Sequence, residues 1–415
     1  MAKIRAFRGY RPRKDIAQKI ASRPYDVLSS KEAAGEAAGN PFSFYHVIKS
    51  EIDLPQDVDQ YSPLVYQKAK ENLEKFISDG ILVQDKMPCL YIYAQTMGGR
   101  IQYGLVACAS VADYQNNFIK KHELTRTEKE IDRKTHIRVT NFNTEPVFFA
   151  YPAHGEIDMI VASYVKEAGE YDFVADDGIR HQLWVISDPS VIGRIETIFR
   201  TEITYTYIAD GHHRTAAAAH IGQEKKMAAP GHKGDEEYNF FLAVHFPANQ
   251  LAIMDYNRVV KDLNGLTREV FLEILGGSFI IDKKGSEPYK PSKAHEFSLY
   301  IEKEWYSLNA KEGICREDDP IGCLDVTVLY EQVLAPVLDI KDLRSSHRID
   351  FVGGIRGLNE LKRRVDSGEM AAAFALYPVS MDQLIRIADT DNIMPPKVTW
   401  FEPKLRSGLV LHSLE

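Results

Sequence analysis

The sequence has few of the features that assign a chain to a common class at once. It contains 415 residues and four cysteines, none of which forms a CxxC pair, since they stand at Cys89, Cys108, Cys315 and Cys323. This spacing disfavours both a zinc knuckle and a disulfide framework, so we expect four reduced thiols. The absence of HExxH and His-x-His motifs likewise weakens the case for a histidine-based metallohydrolase.

A strong excess of charge and a long apolar run are also missing. The net charge of −8 disfavours a nucleic-acid-coating surface, because contacts to the phosphate backbone need clustered Lys and Arg. No stretch approaches the roughly 18 apolar residues of a membrane helix, and no apolar segment follows the basic start of the chain. We therefore expect a cytoplasmic protein with neither a membrane nor a nucleic acid as partner.

Helix and strand signals alternate along the chain and predict a mixed α/β fold. Apolar residues at helical spacing predict a helix over 63–79. Two β-rich runs separated by Gly98-Gly99 predict a hairpin, and Asp177-Gly178 predicts a second turn before a returning strand.

Polar segments suggest where the chain is interrupted. A polar turn near 262–267 predicts an N-terminal domain of residues 1–265 and a C-terminal α/β domain or extension of residues 266–415. The tract 223–238 is too polar to pack and is predicted to be either disordered or a mobile lid. Short helices are predicted over 14–21 and, as a solvated charged helix, over 128–132.

The residues Asp210-Gly211-His212-His213-Arg214 join a predicted strand to an alanine-rich helix. The first N–H groups of a helix lack partners within it and carry partial positive charge, so they bind anions. Gly211 permits close approach of a ligand, and Arg214 can grip phosphate oxygens. We predict a phosphate site from Gly211 to Arg214. A carboxylate at Asp210 then implies a metal ion or a proton-transfer role.

A structural interpretation of this turn is also open. Asp210 would cap the helix, Gly211 would be a turn residue, and both histidines would be hydrogen-bonded near the surface. A shared metal ion at His212 and His213 is disfavoured, because adjacent residues at a helix start point in different directions.

Asp-Gly-His-x-Arg before an alanine-containing helix resembles the nucleotide-contacting turn of the ParB/sulfiredoxin-like superfamily, and most closely its free serine kinase branch. The resemblance implies a ParB/sulfiredoxin-like portion around the turn, in an α/β (α+β, mixed-sheet) fold with additional α/β elements. It also implies that Glu123 is the general base toward a substrate hydroxyl, although far more chain separates it from Asp210 here. A plain surface glutamate is the alternative.

A second resemblance runs nearly end to end, to the bacterial and archaeal domain-of-unknown-function family 1015, which carries no settled biochemistry. The elements that carry it are, in order, Arg23-Pro24-Tyr25-Asp26-Val27, Lys121-His122-Glu123-Leu124-Thr125, Asp132-Arg133, Asp177-Gly178 with His181 and Trp184, Met394-Pro395-Pro396-Lys397, Phe401-x-Pro403-Lys404 and Ser407-Gly408-Leu409.

Four basic residues outside the turn are further candidates. Lys397 and Lys404 could close a phosphate site from a remote segment, as lysines do in phosphoryl-transfer enzymes. Arg11 and Arg133 could bind a carboxylate or phosphate on a small substrate. The alternatives are solvated lysines, an exposed N-terminal arm at Arg11, and a solvent-facing ion pair with Asp132 at Arg133.

The leading hypothesis is phosphoryl transfer between a nucleotide and a small hydroxylated metabolite, specifically free serine or phosphoserine. The chain would be a nucleotide-dependent serine kinase or a phosphoserine phosphatase, with Asp210 and Glu123 catalytic, Mg²⁺ held by Asp210, and ATP or ADP as cofactor. The alternative is a nucleotide-binding ParB-like regulatory protein without catalysis, although no helix-turn-helix is clear. A hydrolase with metal at His122, His181, His212 and His213 is a third hypothesis. A homo-oligomer is compatible with the sequence.

Overall fold

The computed structural model describes residues 1–315, 319–343 and 345–415. It divides into two compact units, the first formed by Met1–Leu251 with Pro403–Glu415 and the second by Ala252–Glu402. The boundary predicted between residues 265 and 266 falls inside the second unit, and the chain returns to the first unit at its end. Among the described residues, no helix combines the length and apolarity needed to cross a membrane.

Strands and helices alternate along unit 1. Its strands up to residue 247 are β1 (Ile4–Arg5), β2 (Tyr10–Pro12), β3 (Leu82–Gln84), β4 (Leu90–Met97), β5 (Arg100–Ser110), β6 (Ile119–Lys120), β7 (Phe142–Asn143), β8 (Val147–Tyr151), β9 (Tyr171–Val174), β10 (Arg180–Ile186), β11 (Thr206–Asp210) and β12 (Phe240–Pro247). Its α-helices are α1 (Ala17–Ile20), α2 (Ser30–Ala37), α3 (Tyr45–Ile48), α4 (Pro63–Ser78), α5 (Val111–Gln115), α6 (Thr127–Thr140), α7 (Gly155–Tyr164), α8 (Pro189–Glu202) and α9 (His212–Ala228), with 3-10 turns at Ser50–Asp53, Glu237–Asn239 and Ala248–Gln250.

A mixed sheet forms the centre of unit 1. Within the described residues it has nine strands in the order β6-β11-β8-β12-β5-β4-β10-β9, and β1 joins it by pairing with β5. The pairs β6–β11 and β8–β12 are parallel, whereas the other neighbours are antiparallel. This confirms the predicted mixed α/β fold. The β4–β5 hairpin turns at Gly98-Gly99, as predicted, and both glycines have positive φ.

Apolar side chains hold the helices of unit 1 against the sheet. Ile92 packs in one cluster with Ile195 and Phe199 of α8. In another cluster, Ile208 of β11 packs with the alanines of α9. All four alanines from 216 to 219 are buried, and alanine has the highest helix propensity. The start of α9 is therefore fixed beside the end of β11.

Three local predictions differ from the structure. The helix predicted over 14–21 shortens to α1. The charged stretch 128–132 belongs to the longer α6, which buries Asp132 and Arg133 because α4 and α9 pack against it. The first part of the polar tract, 223–228, continues α9 instead of forming a loop.

Unit 2 is built around an antiparallel sheet of order β15-β17-β16-β19-β14-β18. Its strands are β13 (Ile253–Met254), β14 (Tyr256–Val260), β15 (Phe279–Gly285), β16 (Glu296–Ile301), β17 (Glu304–Ala310), β18 (Ile349–Gly353), β19 (Ala372–Ala375) and β20 (Trp400–Phe401). Its helices are α10 (Arg268–Leu275), α11 (Asp325–Leu329) with a π-helical continuation at Tyr330–Leu334, α12 (Gly357–Asp366) and α13 (Met381–Asp389), with a 3-10 turn at Gly354–Arg356. The chain ends in unit 1 with β21 (His412–Ser413), which pairs with β7.

The cysteines depart from the expectation of four reduced thiols. Cys315 and Cys323 form a disulfide with their Cα atoms 4.9 Å apart, so the expectation is wrong for this pair. The two cysteines are eight residues apart in sequence, so no CxxC motif is needed for them to pair. Cys89 and Cys108 are buried free thiols.

Acid should destabilise unit 1 through His245, which lies in β12 between Phe149 and Phe199. Neither of its ring nitrogens is hydrogen-bonded to any residue that the structure describes. Burial lowers the pKa of His245 to about 3, whereas an unfolded histidine titrates near about 6.5. Between these values the unfolded chain binds more protons, so the free energy of unfolding falls as pH falls. We expect His245→Phe to make this decrease shallower in urea unfolding followed from pH 7 to pH 4.

The control is His220→Gln, which changes a half-exposed histidine of α9 and should keep the steeper wild-type decrease. If the free energy of unfolding fell as steeply with pH in His245→Phe as in the control, His245 would not be a source of the acid sensitivity.

Candidate functional site

Sheet topology brings two distant segments of the sequence together. Strands β6 and β11 are parallel neighbours, so the residues after them lie at the same edge of the sheet. His122 and Glu123 follow β6, and Asp210 ends β11. Glu123 thereby reaches the turn, with its Oε2 3.9 Å from Nδ1 of His212. The long stretch of sequence between Glu123 and Asp210 does not keep them apart.

Gly211 sets the start of α9. It is the N-cap residue, with φ +95°, in the left-handed region that glycine adopts without strain. A Cβ atom there would lie 3.2 Å from the guanidinium of Arg214. Among the residues that the structure describes, no side chain caps α9, so none of them occupies its first N–H groups as a capping residue. The alternative in which Asp210 caps this helix is therefore not what the structure has.

Asp210 instead forms two ion pairs. Its Oδ2 accepts from Nη2 of Arg214 at 3.0 Å, and its Oδ1 accepts from Nζ of Lys404 at 3.2 Å. Burial alone would raise the pKa of Asp210, but the charges of Lys404 and Arg214 outweigh it and lower the pKa to about 2. The carboxylate is therefore ionised at neutral pH, and the two cations compensate its charge.

These contacts bear on a metal ion at Asp210. Both carboxylate oxygens face a cation, and Mg²⁺ is a hard cation that takes several oxygen ligands. A metal ion at this carboxylate would lie beside the positive charges of Lys404 and Arg214, which would repel it. The donor set does not fit a resident Mg²⁺, and the metal role of Asp210 stays a prediction without structural support.

Arg214 holds the turn against the sheet. Its Nη1 donates to the carbonyl oxygen of Pro146 at 2.7 Å, next to β8, and its Nη2 binds Asp210. Its Nε is buried and makes no hydrogen bond to the described residues. Arg214 therefore positions Asp210, and its Nε–H is a donor that a ligand could use.

His122 and His212 form a buried pair beside Asp210. They are 2% and 5% exposed, and their rings meet edge to face at 4.6 Å. Burial lowers the pKa of His122 to about 4 and that of His212 well below its usual value, so both are neutral at pH 7. Both ring nitrogens of His122 and Nε2 of His212 make no hydrogen bond within the described residues. Buried polar atoms normally have hydrogen-bond partners. The unused hydrogen-bonding capacity of these three ring nitrogens therefore makes the pair a candidate ligand site.

His213 points away from this pair. Its Nε2 accepts from the backbone N–H of Arg126, at the start of α6, at 2.9 Å. The two adjacent histidines thus have different neighbours, which speaks against a shared metal ion. A phosphate contact from the His213 side chain stays a prediction, but its backbone N–H belongs to the first turn of α9.

Glu145, just before β8, is a buried hub that the sequence analysis missed. Its Oε1 accepts from the backbone N–H of Tyr25 and from Oγ of Ser407, and its Oε2 accepts from Nη1 of Arg133. Arg133 also binds Asp132 and lies 3.9 Å from the ring of Tyr25. Arg133 is therefore buried and paired, and a substrate contact from it stays a prediction.

Arg406 is a second residue that the sequence analysis missed. Its Nε donates to Nε2 of His181 at 3.2 Å, and it forms an ion pair with Asp177. Nδ1 of His181 lies 2.7 Å from the hydroxyl of Tyr93. These contacts engage His181 in a network of its own. Within the described ranges, the four histidines of the hydrolase hypothesis form no metal-binding cluster.

Arg11 and Lys397 each have other neighbours among the described residues. Arg11 forms an ion pair with Asp85 at 2.7 Å and donates to the hydroxyl of Tyr171. Lys397 belongs to unit 2, where its Nζ lies 5.5 Å from the centre of the Tyr256 ring. Their ligand-binding roles stay predictions, whereas Lys404 lies at the turn through its contact with Asp210.

Loss of the Glu145 charge should weaken the scaffold behind the site. Glu145→Gln deprives buried Arg133 of a carboxylate, and hydrogen bonds to charged groups contribute about 1.5–3 kcal/mol. We expect a loss of that size in urea unfolding. Glu224→Gln, which removes a half-exposed partner of Arg138, should cost at most about 1 kcal/mol. Equal losses in the free energy of unfolding for the two variants would contradict the role of Glu145 in stabilising the residues behind the site.

Comparison with known proteins gives the family of the chain. No curated protein matches it. Solved structures with partial likeness include a conserved hypothetical protein from Pyrococcus furiosus (13% identity, 73% of this chain and 93% of that chain, TM-score 0.34), a free serine kinase in complex with AMP (12%, 72% and 86%, 0.33) and C-terminally truncated SbnI from Staphylococcus aureus (11%, 72% and 82%, 0.37). At these scores none carries an argument about function. Residues 4–327 match the family described as "Protein of unknown function (DUF1015)", and the chain belongs to that family.

Proposed function

We propose that the chain is a phosphoryl-transfer enzyme that binds phosphate at the start of α9. The observation that carries the proposal is the buried, neutral pair His122 and His212, whose ring nitrogens have unused hydrogen-bonding capacity beside the uncapped helix start. Lys404 stands at the same place, bound to Asp210. Unused donors, the helix dipole and a lysine together form an environment suited to phosphate.

In this proposal the phosphate is held mainly by the backbone. The N–H groups of the first turn of α9 donate to its oxygens, and Lys404 supplies positive charge. A neutral imidazole has one donor and one acceptor nitrogen, so His122 and His212 can each donate one hydrogen bond. ATP or ADP would supply or receive the phosphoryl group. No step requires a metal ion at Asp210, which positions Lys404 through their ion pair.

Glu123 is proposed as the base that removes the proton of the substrate hydroxyl. Its side chain is 46% exposed, and its Oε2 lies 3.9 Å from Nδ1 of His212. A carboxylate at the open side of a phosphate site can meet an entering hydroxyl there and still stay near the transferring group. Its partial exposure lets the substrate approach from solvent.

Free serine or phosphoserine is the proposed substrate. Support comes from the resemblance of Asp210-Gly211-His212-His213-Arg214 to the phosphate turn of the free serine kinase branch of the ParB/sulfiredoxin-like superfamily. The same residues could transfer phosphate from a nucleotide to serine or pass it from phosphoserine to water. Measuring which reactants are turned over, a nucleotide with serine or phosphoserine with water, distinguishes the two directions.

Activity should depend on the Glu123 carboxylate. Wild-type protein would be incubated with ATP or ADP and serine, and separately with phosphoserine, each with and without Mg²⁺. Because general-base catalysis contributes about 10²–10⁴-fold, we expect Glu123→Gln to lower kcat by at least about 100-fold with a small change in KM. Phosphoserine formation or phosphate release is the readout.

The matched control is Glu128→Gln, at an exposed glutamate in the first turn of α6, which should keep wild-type kcat. Turnover that is equal in Glu123→Gln and wild type would remove Glu123 from the mechanism. If the wild type shows no turnover in any combination, the phosphoryl-transfer proposal is wrong. Retained nucleotide binding would then favour a regulatory protein.

A further inference from the structure

A second cluster of reactive side chains lies in unit 2 and takes no part in the proposed phosphoryl transfer. His295 lies just before β16, Cys315 and Cys323 lie between β17 and α11, and one potential ligand atom from each of the three lies within 4.8 Å of the others. In the structure the two sulfur atoms are joined as a disulfide. Two sulfurs and an imidazole in contact are the ligand types that bind zinc in proteins.

Backbone contacts fix the histidine in this cluster. His295, just before β16, has φ +65°, which is uncommon outside glycine. Its backbone N–H donates to Oδ1 of Asp325 at 2.9 Å, and its Nε2 lies 2.9 Å from the carbonyl oxygen of Cys323. The ring is therefore held at the loop that carries Cys323.

Asp325 supplies an independent indication of a ligand. This first residue of α11 is 6% exposed, and its Oδ1 lies 4.0 Å from Nε2 of His295. Its other oxygen, Oδ2, is buried without a hydrogen-bond partner in the described residues. A buried carboxylate oxygen without a partner is costly, and a cation bound beside it would remove that cost.

We propose that the reduced form of the chain binds one Zn²⁺ through Cys315, Cys323 and His295, with Asp325 as the neighbouring carboxylate. Two thiolates and an imidazole supply three ligands of the kind that zinc takes in four-coordinate sites. The disulfide uses the same two sulfur atoms, so the disulfide and the metal exclude each other. The site is then a metal site whose availability depends on thiol redox state.

A dithiol is the reductant that converts the disulfide form of the chain into the form that can bind zinc. The dithiol transfers two electrons and two protons to the Cys315–Cys323 bond, which breaks to give two thiols, and the dithiol leaves as its own disulfide. Zinc then displaces both thiol protons to solvent, since thiolates are the metal ligands. Oxidation of the thiols by a disulfide would expel the ion.

Cobalt(II) is the probe, because its bonds to thiolate absorb light whereas those of Zn²⁺ do not. The full chain is reduced with dithiothreitol, freed of it under nitrogen and titrated with Co²⁺, and an oxidised sample is titrated in parallel. We expect one Co²⁺ per reduced chain, with thiolate-to-metal charge-transfer absorption that Zn²⁺ abolishes. The oxidised chain should show neither. This comparison uses wild-type protein alone.

Two variants identify the ligands. The double variant Cys315→Ser/Cys323→Ser should lose the absorption. His295→Asn keeps a residue that tolerates positive φ and should weaken Co²⁺ binding at least about tenfold. Cys89→Ser, at a buried thiol of unit 1, should bind as wild type does. Reduced wild type without Co²⁺ absorption, or absorption that survives in the double variant, overturns the proposal.

Discussion

The ion pairing of Asp210 with Arg214 and Lys404 is the interaction on which the candidate site depends. Through it the end of β11, the first turn of α9 and the C-terminal segment of unit 1 meet at one carboxylate. The Asp210 side chain is 27% exposed and that of Lys404 15%, and removing either cation would leave the carboxylate charge less compensated. The three segments are therefore coupled, and a change in any one of them should disturb the others.

The surroundings of this ion pair determine what it can bind. Burial keeps His122 and His212 neutral, so they offer hydrogen bonds without adding charge beside Lys404. The carbonyl oxygen of Pro146 anchors Arg214, and within the described residues no side chain caps the first turn of α9. Neutral donors, one lysine and a helix dipole favour an anion that is bound by several hydrogen bonds. A phosphate group has the oxygens to accept them.

Sequence reasoning located this region because its signals are local. A β-rich run, a glycine and an alanine-rich stretch are contiguous around Gly211, and they predict a strand, a tight turn and a helix without knowledge of the fold. Glu123 was proposed through resemblance, and the parallel pairing of β6 with β11 explains how it arrives there. Lys404 was proposed as a remote lysine that could close a phosphate site. Local signals also predicted α4 and the β4–β5 hairpin.

The residues that were missed act through contacts between distant segments. Glu145 and Arg406 are single polar residues without a motif, and only the folded chain shows that each is buried in a network. The disulfide pairs Cys315 with Cys323, and their spacing of eight is not a motif from which this pairing could be predicted. The return of residues 403–415 to unit 1 likewise leaves no local signal in composition.

The most direct test of the central claim is a backbone amide NMR titration of ¹⁵N-labelled protein with ATP and, separately, with phosphoserine. The account predicts that the largest shift changes fall on the N–H groups from Gly211 to Arg214, with smaller ones at His122 and Glu123. Binding that leaves these amides unshifted, or saturating ligand that shifts no resonance, would contradict a phosphate site at the start of α9.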